Sequence, residues 1–438
     1  MKILNKEVKN AGWLIGGKIA QMVLSLLVGL LTARYLGPGN YGTINYIAAY
    51  VSFFTSFCTL GINSIIIKDF VDHPDEQGEA IGSSILLRLL SSLCSIVMIL
   101  SIVSIADAGD RLLFTVAVLC SVALIFQTFD TINYWFQSRY QSKITSIASL
   151  IAYASVSVYK IILLILQKDI YWFAFSTSVD YIVVAVVLLI AYRKNNGPQL
   201  KFSFKKSREL LARSYHYILS GMMVAIYGQT DKLMLKHILN ETEVGYYSTA
   251  THICTLWVFV LAAIIDSMYP TILNLYKSDK LQFERKNRQL YAIVFYVSVF
   301  VSLCFVVFGK LIVSILYGKA YLPAVGPLKI ITWYTAFSYL GVARNAWLVC
   351  ENKQKYLKFL YAAAAVMNIG LNLLFIPLWG ASGAAFASLL TQILSSIVFP
   401  ALLPAMRPNT KLMLSAVMLR DVFPKKKHPA SKPDDSGR

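Results

Sequence analysis

Charge is scarce in this sequence. Asp, Glu, Lys and Arg make up 14 % of its 438 residues, where soluble domains carry roughly 25 %. A lone soluble domain could not clothe its surface with so few, and neither a disordered chain nor a charged coiled coil has this composition. Cysteines number only six, none in a C-x-x-C pair and none beside a histidine at ligand spacing. That excludes a disulfide-stapled scaffold and a zinc site. The five histidines form no H-E-x-x-H motif, so no catalytic metal centre is expected. Acidic residues are also few, 22 against 41 basic, for a net charge of +19. Nucleic acid is the usual partner of such an excess, but here the basic residues sit between apolar runs rather than on one face of a domain.

Apolar residues are what the chain has in abundance. They make up 57 % of it, and the mean hydropathy is +0.60. About 20 apolar residues in helical conformation cross the hydrocarbon core of a bilayer. Twelve runs reach that length, over 11–35, 41–67, 81–105, 112–133, 144–166, 170–192, 210–237, 244–268, 289–308, 325–350, 356–378 and 380–404. They are continuously apolar, so helices are expected rather than the alternating strands of a barrel. The fold class is an all-α integral membrane protein with about 12 transmembrane helices.

Lys and Arg orient the spans. With the N-terminus placed inside, the cytoplasmic segments hold 29 of them and the opposite face 6, which predicts cytoplasmic termini on both ends. The longest charged connection, 193–209, divides the chain into lobes of six spans, 1–192 and 210–404, followed by a basic cytoplasmic tail over 405–438. Each lobe follows its first span with a cation, a polar turn and a glycine: Arg34 to Gly42, and Lys236 to Gly245. Two similar six-span halves make parallel repeats, a transporter plan. Within the tail, Lys411 to Phe423 is expected as an amphipathic helix along the membrane interface.

Ionisable side chains at membrane depth cost several kcal/mol, roughly, so they face a cavity or a partner. The cations are Lys18, Arg88, Lys160, Lys232, Lys329 and Arg344; the anions are Asp130, Asp180, Asp231 and Asp266. A net positive interior suits an anionic phosphate or pyrophosphate group, with Arg as a fork and Lys as a point charge. The substrate-binding candidates are Lys18, Arg88, Lys232 and Arg344, and the ion-coupling candidates are Asp130, Asp180 and Asp231. Each has a structural alternative. Lys18 and Arg88 could snorkel to the interface, Asp180 could be half of an ion pair, and Lys160, Lys329 and Asp266 could be interfacial. No metal, cofactor or catalytic constellation is expected; the buried aspartates could serve H+ or Na+ coupling. The short outer loops also argue against a polysaccharide polymerase or ligase.

Four segments carry a resemblance. They are Leu31-Thr-Ala-Arg-Tyr-Leu-Gly-Pro-Gly-Asn-Tyr-Gly42 with Leu60-Gly-Ile62; Asp231-Lys-Leu-Met-Leu235 with Val244-Gly-Tyr-Tyr-Ser-Thr-Ala250; Leu316-Tyr-Gly-Lys-Ala-Tyr-Leu-Pro-Ala-Val325; and Asn368-Ile-Gly-Leu-Asn372 with Ile376-Pro-Leu-Trp-Gly380 and Gly383-Ala-Ala385. In order and spacing the chain resembles the polysaccharide-transporter family of the multidrug/oligosaccharidyl-lipid/polysaccharide (MOP) exporter superfamily, particularly the bacterial O-antigen (Wzx-type) flippases. The resemblance implies two six-helix lobes around a cavity in the inner membrane. It implies flipping of an undecaprenyl-pyrophosphate-linked oligosaccharide across that membrane, with ion coupling, among membrane lipids and beside a polysaccharide polymerase and chain-length regulator. Alternatives within the superfamily are a multidrug or cation antiporter and a lipid II flippase. The latter group carries two further C-terminal spans that this chain lacks.

Overall fold

The computed structural model describes the backbone of residues 2–420 and the side chains of residues 24–218 and 221–420. Among the described residues every regular element is helical. In chain order they are α1 (Lys2–Cys58), α2 (Ile66–Asp72), α3 (Gln77–Ala106), α4 (Arg111–Phe126), α5 (Asp130–Ser138), α6 (Ser142–Ile165), α7 (Ile170–Lys194), α8 (Phe204–Ile238), α9 (Glu241–Thr255), α10 (Val258–Ser278), α11 (Lys280–Leu316), α12 (Val325–Cys350), α13 (Leu357–Ile393), α14 (Phe399–Leu402) and α15 (Arg407–Val417).

Eight helical stretches are apolar and long enough to cross a bilayer on length and composition alone. The other four spans read from the sequence are the two arms of α1, together with α8 and α12. The last two have 35 and 26 residues, ample length. Both are more polar than the eight, and carry among others Asp231, Lys232, Lys329 and Arg344. The chain is a multi-pass, all-α membrane protein of about twelve spans. Two continuous helices each supply two of them. α1 bends at Gly37, whose φ of 70° suits glycine, with Pro38 following; α13 bends at Gly380 after Pro377.

The chain packs as two compact units. The first comprises residues 1–250, 310–327 and 365–385. One of its cores gathers Phe70, Ile81, Ile132, Trp135, Phe136 and Tyr192. The buried Trp135 indole donates to Gln77 Oε1 at 2.9 Å, and the Arg139 guanidinium lies over its ring. The basic segment 193–209 lies along α3 rather than hanging free. Lys201 N donates to the Gly78 carbonyl at 3.1 Å, and Ser203 N to Ser83 Oγ at 3.0 Å. Its last residues are already helix, because Ser203 Oγ caps α8 at Lys206 N. Lys206, almost wholly buried, ion-pairs with buried Asp69 at 3.0 Å and with Glu76 at 2.8 Å; Arg213 reaches Asp69 at 2.8 Å.

The second unit comprises 251–309, 328–364 and 386–438. Leu261, Phe283, Tyr291, Leu340, Trp347, Met406, Leu412 and Met413 form its core. The helix expected over Lys411–Phe423 corresponds to α15, which ends at Val417; residues 421–423 lie outside the described residues. Its Leu412, Met413 and Ala416 are buried against protein, while Leu414, and Met418 just past its end, are exposed. Tyr291 and Tyr296 of α11 hold it in place. They bond Asn409 Nδ2 at 2.7 Å and the Val417 carbonyl at 2.7 Å, which fastens α15 at both ends.

Candidate functional site

Asp231 lies two turns before the end of α8 and is only 6 % exposed. A bare carboxylate at that depth would be costly. Two donors satisfy it: Tyr247 OH from α9, and Asn372 Nδ2 from α13 at 2.6 Å. Asn372 also donates to Asn368 Oδ1 at 3.0 Å, one helical turn away. Asn372 Oδ1 and Asn368 Nδ2 have no hydrogen-bond partner among the described residues, though both side chains are fully buried. The buried carboxylate is thus held by an amide N–H and a phenol O–H, beside two further amide atoms left unpaired among the described residues. Lys232, the next residue, is half-buried.

Arg88 of α3 is 2 % exposed. The expected span over 112–133 is broken by a single 3-10 turn at Gln127–Phe129, after which α5 starts at Asp130. Arg88 meets this break, donating Nη2 to the Gln127 carbonyl at 2.9 Å and Nη1 to Thr131 Oγ1 at 3.0 Å. Its Nε has no partner among the described residues. The same break points Asp130 into a cavity of about 170 Å³, which it lines with Asn133, Thr145, Tyr153, Asp180 and Tyr181. Asp180 Oδ1 is buried there without a hydrogen bond among the described residues. Lys160 of α6 is the cation that acts on Asp180, as Arg88 is for Asp130. Asp130 and Asp180, 50 residues apart, thus share one polar, tyrosine-lined chamber.

Arg344 belongs to the second unit and is 3 % exposed. Pro400 has no N–H to bond the Ser396 carbonyl in α-helical register, and the helix there widens into a π turn over Leu394–Val398. Arg344 Nη1 reaches that carbonyl at 3.5 Å, and its Nε is unpartnered among the described residues. The side chain of Lys18 lies outside the described residues.

Parts of the four quoted segments meet where α1 bends, whereas Leu60-Gly-Ile62 lies past the far end of α1, with Gly61 against Ser214 and Tyr217 of α8. The Arg34 guanidinium caps α11, donating Nε to the Leu316 carbonyl at 2.8 Å and Nη2 to that of Ile315. Tyr321 OH returns a bond to the Ala33 carbonyl at 2.7 Å. The two repeated turns pack on each other at Gly42 and Gly245. A Cβ on Gly42 would sit 1.7 Å from the Glu241 carbonyl oxygen, and one on Gly245 would sit 2.1 Å from that of Pro38. Glu243 accepts from Ala381 N at 2.7 Å, at the bend of α13. Beside them Lys236 pairs with Asp107, which also accepts from Tyr46 OH at 2.8 Å.

Sequence reasoning singled out the charges but not their company. Tyr247, Asn368 and Asn372 had a legible signal, since asparagines four apart lie on one face of a helix. Tyr153 and Tyr181 had none among the chain's 26 tyrosines.

Comparison with known proteins assigns the architecture. The polysaccharide biosynthesis protein family matches residues 8–275, more than half of the chain. The capsular polysaccharide biosynthesis protein CapF of Staphylococcus aureus is 20 % identical over 408 residues, covering 90 % of this chain and 98 % of that protein. A Shigella flexneri protein provisionally named an O-antigen transporter is 21 % identical, covering 89 % of this chain and 96 % of its own length. Among solved structures, the lipid II flippase MurJ in an inward closed conformation superposes with a TM-score of 0.70 at 14 % identity, covering 92 % of this chain and 91 % of that one. An inward-facing multidrug MATE transporter of the MOP superfamily gives 0.69 at 14 % identity, covering 90 % and 96 %. The chain belongs to the polysaccharide biosynthesis protein family, and its fold is the one seen in solved MOP-superfamily transporters.

Proposed function

We propose that this protein is a bacterial inner-membrane flippase for undecaprenyl-pyrophosphate-linked O-antigen or related polysaccharide repeat units. The observation that carries the reading is the coincidence, in one chain, of the polysaccharide biosynthesis family with a transporter fold. Capsule and O-antigen relatives, matched nearly end to end, support it. No bond need be made or broken. The obstacle is hydrocarbon, which solvates neither pyrophosphate nor sugar hydroxyls. Fixed cations replace part of the lost hydration. Lys18, Arg88, Lys232 and Arg344 are assigned that role, and Arg88 and Arg344 each keep an Nε with no partner among the described residues. Downhill entry of a proton or sodium ion drives the cycle through Asp231 or the Asp130–Asp180 chamber. Both termini are cytoplasmic on the 29 to 6 distribution of Lys and Arg. A polymerase and a chain-length regulator act on the delivered units.

Deletion of the gene tests the reading. The expected result is loss of surface polysaccharide, accumulation of lipid-linked repeat units shielded from periplasmic label, and unchanged drug susceptibility. Normal surface polysaccharide together with new sensitivity to cationic drugs would instead mark an antiporter.

A further inference from the structure

The second unit contains a cavity that none of the above uses. About 520 Å³ of space opens between the start of α11, the end of α12 and α15. That lies within the roughly 300–1,000 Å³ typical of small-ligand sites. Lys280, Arg288, Lys353 and Lys411 line it, with Glu284 and Glu351 as the only carboxylates. Glu284 is committed to Arg288 at 3.2 Å. Among the described residues no carboxylate lies within ion-pairing distance, 4.0 Å, of Lys280, Lys353 or Lys411. Three ammonium groups from three separate elements therefore face one space with only the Glu351 carboxylate left to offset them, and the lining keeps a net positive charge. Such convergence is unfavourable unless an anion is drawn in.

The cleft is held rather than accidental. Lys411 is on α15, whose bonds to Tyr291 and Tyr296 and buried Leu412 and Met413 fix its position. Buried Trp347 and Phe283 form an apolar wall beneath the cations. Next to the cleft the surface turns apolar: Leu281 and Leu402 are each 67 % exposed. Cations above an apolar wall, where helices leave their apolar stretch, match a phosphate group joined to a hydrocarbon chain better than a free anion.

We propose that this cleft binds the phosphate group of an anionic lipid. Two sources share that chemistry, a membrane phospholipid and a polyprenyl pyrophosphate. The site does not depend on which substrate the protein transports.

The test uses the full chain in detergent micelles and native mass spectrometry. The probes are phosphatidylglycerol, undecaprenyl pyrophosphate, phosphatidylcholine and inorganic pyrophosphate. Saturable retention of either anionic lipid is expected, about tenfold or more above phosphatidylcholine. The K353Q/K411Q variant should lose that excess, whereas K194Q/K205Q, altered at exposed lysines of the first unit, should keep it. Equal melting temperatures of the two variants separate loss of binding from loss of fold. The preferred lipid identifies the source. Equal retention of phosphatidylcholine, undiminished binding by K353Q/K411Q, or inorganic pyrophosphate bound as well as either lipid would overturn the proposal.

Discussion

Asn372 donates its amide to Asp231 across a 2.6 Å contact that ties α13 to α8. Asn372→Ala would leave Asp231 with one fewer donor in a buried place, a loss of about 1–3 kcal/mol. It should lower the melting temperature in detergent. Asp231→Asn keeps the shape but removes the charge. Transport measured as surface polysaccharide should fall more than tenfold, while protein level and melting temperature stay near wild type. Full display by Asp231→Asn would remove this carboxylate from the coupling step.

Gly42 and Gly29 lie on the same helix and make opposite predictions. A methyl group on Gly42 would strike the Glu241 backbone, whereas nothing lies within 4 Å of a Cβ on Gly29. Overpacking against backbone costs about 1–3 kcal/mol, and more where neither side can yield. Gly42→Ala should therefore reduce folded yield and melting temperature. Gly29→Ala should be neutral or slightly stabilising, since alanine favours the helix by about 1 kcal/mol. Equal behaviour of the two in size-exclusion and thermal melts would contradict the packing described at the bend of α1.

The Asp69–Lys206–Glu76 network makes stability depend on pH. The Lys206 ammonium holds Glu76 below its ordinary value of 4.5. Its contribution is therefore present above that value and is lost as pH falls through the depressed one. Burial alone would lower Lys206, but hydrogen bonds to Glu76 and Asp69 raise it above 10.5. That contribution is complete below pH 10.5 and disappears as pH rises beyond it. Melting temperature should be flat between these limits and fall on either side, with Glu76→Gln blunting the acid limb. Lys206→Met leaves buried Asp69 to Arg213 and His73. Because part of the charge stays compensated, the expected loss is at the low end for a broken buried pair, about 3 kcal/mol. A melting temperature independent of pH from about 3 to about 8 would exclude the network as a stabilising device.

The spans and their breaks were legible because they depend on neighbours in sequence. Gly37-Pro38 and Pro377 with Gly380 mark the two bends within α1 and α13. Arg88, Asp231 and Arg344, picked out as charges within apolar runs, are buried in the protein. Their partners were not legible. The halt of α4 at Gln127–Phe129, which turns Asp130 toward Asp180, has no proline or glycine to announce it. An amphipathic pattern near Lys411 was legible, but not that Tyr291 and Tyr296 would fasten the helix to α11.

Hydrocarbon thickness sets how many consecutive apolar residues a span needs, so membrane insertion and the approximate number of helices were properties of the chain alone. Which polar groups meet inside is another matter. Asp231 finds Asn372 across 141 positions and Arg34 finds Leu316 across 282. Such pairings are selected by which helix faces touch, and packing of that kind leaves no period in the sequence to be read.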